Sequence, residues 1–337
     1  MRNKDKNMDV SIIIVNYKTP ELVVECIRSI REKTTGISYE IIIVDNDSKD
    51  NSLEIFSTEL EEDIKVVVAN ENLGFGKANN LGAQHATGKY LFLLNSDTLL
   101  INNAIQILYQ YIEKNSHIGV VGGNLFTSDM KASPSFAMQF DDLGSVKQAA
   151  RWNNIIKNIV KRVIRERIYI SERHKEKIRC KDIFNFENVP KKVAYIFGAD
   201  MLVRSDIFRQ LKGFDPEFFM YAEEEELSWR ITNNNFEIWN IPEAQIIHYD
   251  GATIKKSEEF SERQYKMRLT GIFTYYKKRF GKKGIKDFYY YKKLELSRIY
   301  QIGKILNRKK LMELVAIQKK CVEDVYKKFE KSGECDG

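Results

Sequence analysis

Five short apolar runs recur in the first 126 residues, and segments with helical periodicity separate them. The runs are VSIIIVN (10–16), YEIIIVDN (39–46), IKVVVAN (64–70), KYLFLLN (89–95) and IGVVGGNLF (118–126). Continuous apolar runs of this length are typical of strands that are buried on both faces of a parallel sheet. Strands that alternate with helices form right-handed βαβ units. The pattern therefore predicts an α/β fold with a mostly parallel sheet and flanking helices.

Capping signals mark where the intervening helices should begin. Thr19-Pro20-Glu21 supplies an N-cap residue, a proline and an acid at the start of a helix predicted over about 20–34. Ser48 or Asp50 is a candidate cap for the next helix. The segment NNAIQILYQYIEKN predicts an amphipathic helix after the fourth run.

The alternation of strands and helices stops after residue 126. The stretch RWNNIIKNIVKRVIRERIYISERHKEKIRCKDIF is typical of a basic amphipathic helix followed by a polar loop, and helices with basic, tyrosine-rich faces follow from Ser257. The predicted divisions are a first domain over 1–256, with halves at about 9–126 and about 190–256 and a variable helical insertion at about 140–190, and a helical, basic C-terminal extension over 257–337.

Composition and charge narrow the classes of protein that fit. A chain of 337 residues with 43% hydrophobic residues can bury one or two cores and is not disordered. We expect no signal peptide and no spanning helix, because no apolar run approaches eighteen residues. Four widely spaced cysteines indicate reduced thiols and a cytoplasmic protein. The net charge of +7 is concentrated near the C-terminus, which indicates either an anionic membrane surface, a nucleic acid or simply solvated helices.

Polar residues follow successive apolar runs at the points where the strands should end. The clusters are Asn16-Tyr17, Asp45-Asn46-Asp47, Asn70 to Asn72 and Asn95-Ser96-Asp97. The carboxyl ends of parallel strands share one edge of the sheet, where ligands of such folds bind. Solvated loops would explain one or two clusters, whereas a nucleotide pocket explains them together.

The residue types in these clusters suit a nucleotide diphosphate. Asp45 or Asn46 can accept a hydrogen bond from a base N–H or a ribose hydroxyl. Asp97 can hold a divalent cation that neutralises the diphosphate. Two other phosphate sites do not fit, because GFGKANN has Asn79 in place of the third glycine of the dinucleotide fingerprint and the chain contains no P-loop.

Five motifs, in order along residues 9–280, resemble those of family 2 glycosyltransferases, and most closely the rhamnosyltransferase-like branch. They are VSIIIVNYKTPELVVECIRSI, EIIIVDNDSKDNS, NENLGFGKANNLGAQHATGKYLFLLNSDT, FGADMLVRSDIFRQLKGFDPEFFMYAEEEELSWRI and IPEAQIIHYDGAT. The resemblance implies a GT-A fold with a Rossmann-like sheet, a divalent cation (Mg²⁺ or Mn²⁺) and inversion at the anomeric carbon. It also implies a nucleotide-diphosphate sugar donor, dTDP-rhamnose or a UDP-hexose, and a saccharide or lipid-linked saccharide acceptor in the synthesis of a cell-surface polysaccharide.

The resemblance also assigns roles by position. Residues expected around the nucleotide and its sugar are Val15, Asn16, Tyr17, Asp45, Asn46, Asn72, Gly74, Phe75, Asn79, Asn95, Ser96, Gly198, Ala199 and Asp200. Asn95-Ser96-Asp97 occupies the D-x-D position of the family, so Asp97 carries the metal role largely alone. His248 matches a family histidine near the metal, although a lone histidine is as often structural.

The four-glutamate run in MYAEEEELSWRI contains the expected general base. By the resemblance, Glu224 falls on the family aspartate that acts as the base, and Glu223 is the alternative. Glu225 and Glu226 are interpreted as an acidic first helical turn, with Glu226 in an exposed i,i+4 pair with Arg230.

The basic C-terminal region raises alternatives to sugar transfer. The basic C-terminus fits a non-catalytic protein that binds nucleotides or nucleic acid, but the acidic run opposes phosphate and no nucleic acid partner is expected. A nucleotidyltransferase would need a glycine- and arginine-rich N-terminal loop that is absent here. Tyr275-Tyr276 and the run Tyr289–Tyr291, each beside basic residues, favour a peripheral contact with the inner face of an anionic membrane. Packing on the catalytic domain or a homodimer contact fits these helices equally well.

Overall fold

The computed structural model describes residues 8–157, 180, 182–249 and 260–331, which divide into two compact units. The first unit contains the described residues of 1–140, 176–219 and 223–256, and the second those of 141–175, 220–222 and 257–337. Most of the predicted basic helix and loop after Asn154 lies outside the described residues.

A mixed sheet forms the centre of the first unit. Its strands are β1 (Val10–Asn16), β2 (Tyr39–Asp45), β3 (Lys65–Val68), β4 (Tyr90–Asn95), β5 (Thr98–Leu100), β6 (Ile118–Phe126), β8 (Lys191–Val193), β10 (Asp200–Arg204) and β11 (Glu237–His248), and a separate pair is formed by β7 (Phe136–Ala137) and β9 (Tyr195–Ile196). The strand order is β3-β2-β1-β4-β10-β6-β11-β5, and β8 also pairs with β11. The five strands predicted from the apolar runs are therefore confirmed.

The strands that carry the polar clusters are parallel. β1 pairs in parallel with both β2 and β4, and β2 pairs in parallel with β3. β10 comes from the second half of the chain and runs antiparallel between β4 and β6. The parallel register places Asn16 opposite Asp45 and Val15 opposite Asn95, so the polar clusters meet at one edge as predicted.

Helices cover both faces of this sheet. They are α1 (Pro20–Lys33), α2 (Ser52–Glu59), α3 (Phe75–Gln84), α4 (Ala104–Lys114), α6 (Ser205–Gln210) and α7 (Glu223–Asn233). Helix α5 (Leu143–Ala149) belongs to the second unit. Ile12 and Ile14 of β1 belong to a core cluster that contains residues of α1 and α4. Ile13 belongs to the opposite cluster, with residues of α3, α6 and α7. Burial on both faces explains why β1 is continuously apolar, whereas β3 at the edge of the sheet is largely exposed.

The predicted helix caps are only partly correct. Thr19 is the N-cap residue of α1, but its side chain makes no capping hydrogen bond and faces Asn16 and Ser96 instead. The N-cap residue of α2 is Asn51 rather than Ser48 or Asp50. Asp50 contributes nearby, because its Oδ1 accepts the backbone N–H of Ser52 at 2.9 Å.

The second unit is helical and has an aromatic core. It contains α5 (Leu143–Ala149), α8 (Glu262–Ile305) and α9 (Lys309–Lys331), and α8 is interrupted at Gly281, where φ is 65°. These helices confirm the predicted helical C-terminal region. The rings of Phe273, Tyr276 and Phe288 pack together in its interior. No helix within the described ranges has an apolar stretch long enough to cross a bilayer.

The membrane role predicted for Tyr275 and Tyr276 is wrong. Both side chains are buried, at 1% and 0% exposure. Their hydroxyl groups donate to the backbone carbonyls of Asp141 and Asp142, at 3.2 and 3.1 Å. Two tyrosines that satisfy their hydroxyl groups inside a core are not available to a lipid surface.

Candidate functional site

Asn16 is a buried hub at the end of β1. Its Nδ2 donates to Asp45 Oδ1 at 2.7 Å and lies 3.0 Å from the hydroxyl groups of both Ser48 and Ser52. Its Oδ1 accepts the backbone N–H of Thr19 at 3.2 Å. The side chain is fully buried, so its hydrogen bonds fix the position of Asp45 rather than leaving Asn16 free for a base.

The neighbours of Asn16 differ in their access to solvent. Val15 is half-buried among apolar residues of the core, whereas Tyr17 is 36% exposed. Asp45 is 3% exposed, and its Oδ2 accepts only a long hydrogen bond, 3.3 Å, from the backbone of Ser48. Tyr17 and the second oxygen of Asp45 are therefore the groups of this cluster best placed to meet a ligand.

Asn46 closes the loop that precedes α3. Its Oδ1 accepts the backbone N–H of Leu73 at 2.8 Å, and its Nδ2 donates to Asn72 Oδ1 at 3.2 Å and to the carbonyl of Gly74 at 3.3 Å. Asn72 Oδ1 also accepts the N–H of Gly74 at 3.0 Å. The amide of Asn16 thus joins the first polar cluster to the second, and the amide of Asn46 joins the second to this loop.

Gly74 occupies a position that only glycine fits. Its φ of 77° is left-handed, and a methyl group built there would lie 2.0 Å from the carbonyl oxygen of Phe219. That carbonyl accepts the N–H of Phe75 at 2.9 Å. Asn79, predicted to contact the nucleotide, is buried within α3 and donates to the carbonyl of Phe75 at 3.1 Å. The loop is therefore held from both sides by the backbone.

Asp97 and His248 meet where β5 pairs with the end of β11. The antiparallel register sets Thr98 opposite His248, and the carbonyl of Asp97 accepts the N–H of Tyr249 at 2.9 Å. This pairing brings Asp97 Oδ1 to 3.3 Å from His248 Nε2. The same imidazole nitrogen lies 3.4 Å from Asn95 Nδ2. Two residues 151 positions apart in the chain thus form one cluster with the D-x-D-like loop.

This cluster suits a cation that brings ligands of its own. No group of three or more histidine, cysteine, aspartate or glutamate side chains forms a preformed metal site in the part of the chain that the structure describes. Asp97 and His248 offer one carboxylate and one imidazole. Mg²⁺ usually binds through one or two carboxylates together with water and substrate phosphates. The donor set therefore fits a divalent cation held jointly with a diphosphate.

Gly198 and Ala199 lie between the D-x-D-like loop and the glutamate run. The carbonyl of Ala199 accepts the N–H of Asn95 at 3.0 Å. A methyl group built on Gly198 would lie 3.3 Å from the ring of Phe75 and 4.0 Å from Cβ of Glu224. Ser96, the middle residue of the loop, lies 3.3 Å from the hydroxyl of Thr19. The predicted sugar-pocket segment thus lies next to both the predicted cation site at Asp97 and the predicted base at Glu224.

Asp200 supports the sheet from a fully buried position. Its Oδ2 accepts the N–H of Gly123 at 2.5 Å, and its Oδ1 has no hydrogen-bond partner among the described residues. Burial raises the pKa of this carboxyl group well above its usual value. A direct contact between this side chain and a sugar stays a prediction.

The glutamates at the start of α7 occupy different environments. Glu223 is 3% exposed, and its Oε2 has no hydrogen-bond partner within the described ranges. Burial, and then the charge of Glu224, raises the pKa of Glu223 well above its usual value. Glu224 is half-buried and adjoins Gly198. Solvent therefore reaches Glu224 more readily than Glu223.

The expectation that Glu226 makes an exposed pair is wrong. Glu226 is 3% exposed and accepts two hydrogen bonds of 2.7 Å from Arg230. Arg230 also donates to the carbonyls of Leu211 and Gly213, at 2.7 and 2.8 Å. The pair joins α7 to the segment after α6, so it belongs to the structure of the unit rather than to a solvated helix start.

We expect Glu226→Gln to lower the free energy of unfolding by about 1–3 kcal/mol, because a part-buried guanidinium loses its charged partner. Urea denaturation of both proteins measures the difference. The matched control is Glu59→Gln, which removes one partner of the Arg28 pair, where the two side chains are 64% and 50% exposed. That change should cost only a few tenths of a kcal/mol. Equal effects of the two substitutions would contradict a structural role for Glu226.

Several residues near the site were missed by sequence reasoning. Ser48 and Ser52 contact Asn16, whereas the sequence pattern marks Ser48 only as a candidate helix cap and assigns no role to Ser52. Asn80 exchanges two hydrogen bonds with the backbone of Phe214, at 2.8 and 2.9 Å. Asparagine is a poor residue for a helix interior, and its position inside α3 was the available signal.

Comparison with known proteins identifies the family of this chain. The model of one protein family, described as Glycosyl transferase family 2, matches residues 11–210. The chain belongs to this family. The match covers β1 to α6, and so includes Asp45, the loop at Gly74 and Asp97. The confirmed resemblance is to family 2 as a whole.

Individual relatives of this family 2 chain are similar to it in sequence over part of their length. It is 35% identical over 122 residues to glycosyltransferase GlyG from Streptococcus pneumoniae, a match that covers 36% of this chain and 40% of GlyG. It is 24% identical over 278 residues to an uncharacterised glycosyltransferase from Haemophilus influenzae, which covers 81% of this chain and 75% of that protein.

A solved structure shows that the fold is of the GT-A kind. The mannosyltransferase PcManGT from Pyrobaculum calidifontis, determined in complex with GDP-Man and Mn²⁺, superposes with a TM-score of 0.55. The superposition covers 96% of this family 2 chain and 87% of that one, at 13% identity. The predicted α/β fold of the GT-A type is therefore confirmed.

Proposed function

We propose that this chain transfers a sugar from a nucleotide-diphosphate donor to a saccharide or lipid-linked saccharide acceptor, with inversion at the anomeric carbon. The observation that carries the proposal is the approach of His248 to Asp97 at the carboxyl ends of the parallel strands, in a chain of glycosyl transferase family 2. A hexose or a deoxyhexose such as rhamnose is the proposed sugar, in cell-surface polysaccharide synthesis. A protein that only binds nucleotides would not need a carboxylate near the sugar segment.

In this proposal, the ends of β1 and β2 bind the nucleoside. Asp45 accepts from the base or ribose through the oxygen that is not held by Asn16. Asn46 keeps the loop at Asn72–Gly74 in place around the nucleotide, while Tyr17 offers an exposed ring for stacking. Rigid placement of these groups lowers the entropy cost of donor binding.

We expect Asp45→Asn to weaken donor binding by roughly tenfold or more, because a hydrogen bond to a charged acceptor is lost. Isothermal titration with the nucleoside diphosphate measures it. Asp63→Asn, on an exposed carboxylate that pairs with Arg31, is the control and should leave binding unchanged. If Asp45→Asn altered only the turnover at saturating donor, the assignment of Asp45 to the nucleoside would fail.

Asp97 and His248 would hold a divalent cation, Mg²⁺ or Mn²⁺, together with the diphosphate. A bound cation supplies positive charge that stabilises the departing diphosphate. PcManGT, which shares the fold, was solved with Mn²⁺ and GDP-Man, which supports a divalent cation and a nucleotide sugar as ligands here. Asn95 Nδ2 lies near the same imidazole nitrogen, 3.4 Å from Nε2.

Glu224 is the proposed general base. Its carboxylate accepts the proton of the acceptor hydroxyl as that oxygen bonds to the anomeric carbon and the bond to the diphosphate breaks. The products are the glycosylated acceptor and a nucleoside diphosphate, and a single displacement inverts the configuration. Gly198 leaves space beside Glu224 because it has no side chain.

A screen of nucleotide sugars tests the function. Purified protein is incubated with dTDP-, UDP- and GDP-sugars and saccharide acceptors, with and without Mg²⁺ or Mn²⁺, and released nucleoside diphosphate is measured. We expect one donor class to react in a metal-dependent way, and product NMR to show the inverted anomer. Retention of configuration would reject the single displacement. Nucleotide binding without any transfer across acceptors would favour a non-catalytic role.

A further inference from the structure

The turn between α8 and α9 forms an exposed tip in the second unit, which we call the hairpin tip (residues 304–310). Every residue of its sequence, KILNRKK, is exposed. Ile305 is 80% exposed and Leu306 is 54% exposed. Single exposed aliphatic residues are common on protein surfaces, but two adjacent ones at a turn leave an unusual amount of apolar area in water.

The charges of the hairpin tip are all positive and all unpaired. Lys304, Arg308, Lys309 and Lys310 flank the two aliphatic residues, and the tip contains no acid. Their side chains make no hydrogen bond or ion pair with any of the described residues. Some other lysines of the same helices are neutralised, such as Lys293 by Glu323 at 2.8 Å and Lys266 by Asp324 at 2.7 Å. The seven residues of the hairpin tip therefore carry four uncompensated positive charges.

The backbone holds the hairpin tip in a defined shape. The carbonyl of Ile302 accepts the N–H of Leu306 at 2.9 Å, and the carbonyl of Gly303 accepts the N–H of Arg308 at 2.8 Å. Asn307 adopts a left-handed conformation, with φ of 49°, that ends α8. A methyl group on Gly303 would lie 3.0 Å from Met312, so the two helices approach closely beneath the turn. The aliphatic side chains are exposed by a well-defined turn.

We propose that the hairpin tip docks on an anionic membrane surface, with Ile305 and Leu306 entering the boundary of the acyl chains. Interfacial binding combines buried apolar area with the attraction of lysine and arginine to anionic lipids, and the tip supplies both within seven residues. Tyr300, 38% exposed and one turn before Lys304, adds an aromatic residue of the kind enriched at membrane interfaces. Nucleic acid would use the cations but would have no use for the aliphatic pair.

Co-sedimentation with vesicles tests the proposal on the full chain. We expect binding to vesicles of equal parts phosphatidylcholine and phosphatidylglycerol at low salt, and little binding to phosphatidylcholine alone. Ile305→Ser with Leu306→Ser should weaken binding about tenfold or more while leaving the charge unchanged. Lys309→Gln with Lys310→Gln should weaken it by roughly 30-fold, since each cation near the surface contributes about fivefold. Raised salt should remove most of the remaining attraction.

Matched controls separate the hairpin tip from general effects of charge and exposure. Leu53→Ser changes an aliphatic residue of the first unit that is 45% exposed, and Lys327→Gln with Lys328→Gln changes two exposed lysines elsewhere on α9. Both should leave vesicle binding within about twofold of wild type. Circular dichroism checks that all variants remain folded.

Three results would overturn the proposal. The first is vesicle binding that does not change in either tip variant. The second is a labelled DNA duplex that binds more tightly than the mixed vesicles and is unaffected by Ile305→Ser, which would assign the charge to nucleic acid. The third is a dimer that the Ile305/Leu306 variant dissociates, which would assign the aliphatic pair to a second copy of the chain. Vesicle binding is measured without substrates, so its result does not depend on whether the chain transfers a sugar.

Discussion

We expect Glu224→Gln to lower the turnover of sugar transfer by about 10²–10⁴-fold while donor binding remains nearly intact. Glutamine keeps the size of the side chain and its place beside Gly198 but cannot accept the proton of the acceptor hydroxyl. Turnover at saturating donor and acceptor measures the loss, and titration with the nucleoside diphosphate measures binding. Azide, an anionic nucleophile supplied in place of the acceptor hydroxyl, should react with the sugar donor in the variant and the wild type alike. It carries no proton, so its attack needs no general base.

Glu223→Gln is the matched control for this experiment. Burial and the charge of Glu224 raise the pKa of Glu223 above its usual value, and glutamine resembles the protonated form that burial favours. We therefore expect turnover within about tenfold of wild type for Glu223→Gln. An inactive Glu223 variant beside an active Glu224 variant would move the base by one residue. If both variants stayed active, the base would lie outside the glutamate run.

Asp97→Asn should lower transfer by about 10²-fold or more, because the loss of one charge from a preorganised site removes a large part of the stabilisation of the leaving diphosphate. The substitution keeps the shape of the side chain and converts Asn95-Ser96-Asp97 into a loop without a carboxylate. The concentration of Mn²⁺ that gives half-maximal activity should rise in parallel.

Asp47→Asn is the control for Asp97, because it removes a carboxylate from a neighbouring loop at the end of β2. Asp47 pairs with Lys49 at 3.1 Å, and asparagine tolerates its left-handed φ of 60°. Transfer by this variant should stay near that of the wild type. Activity above about a tenth of wild type in Asp97→Asn, together with an unchanged requirement for Mn²⁺, would remove Asp97 from the cation site.

Features that depend on local sequence were predicted well. Four of the five apolar runs form strands that are mostly buried on both faces, so no alternation of polar residues obscures their pattern. The fifth, β3, is an apolar edge strand with Val66 39% and Val68 52% exposed. Asp45 and Asp97 were located at strand ends because the parallel arrangement follows from the alternation with helices. Their shared edge is a consequence of topology, so it could be inferred without any contact being known.

Features that depend on distant partners could not be predicted. The sequence predicts that Asn16 contacts a base, but the side chain is fully buried and bonded to Ser48 and Ser52. These two serines lie in an irregular segment after β2, where no periodic pattern indicates which residues they contact. Glu226 appeared solvated because helical spacing shows Arg230 but not the carbonyls of Leu211 and Gly213. Tyr275 and Tyr276 stand beside basic residues, as tyrosines at membrane interfaces do. They are buried in the second unit because the distant backbone carbonyls of Asp141 and Asp142 accept their hydroxyl groups.

The position of β10 has a consequence for how the chain acquires its fold. A nascent chain that has emerged only as far as β6 contains β4 and β6, but the strand that lies between them, Asp200–Arg204, follows after residues 127–199. Until Leu202 pairs with Phe92 and Val121, both strands present unpaired edges that can associate with other chains. Closing such a long loop slows folding, because its entropy cost precedes any gain from pairing. We therefore expect residues 9–126 expressed alone to aggregate rather than to fold as an autonomous nucleotide-binding module.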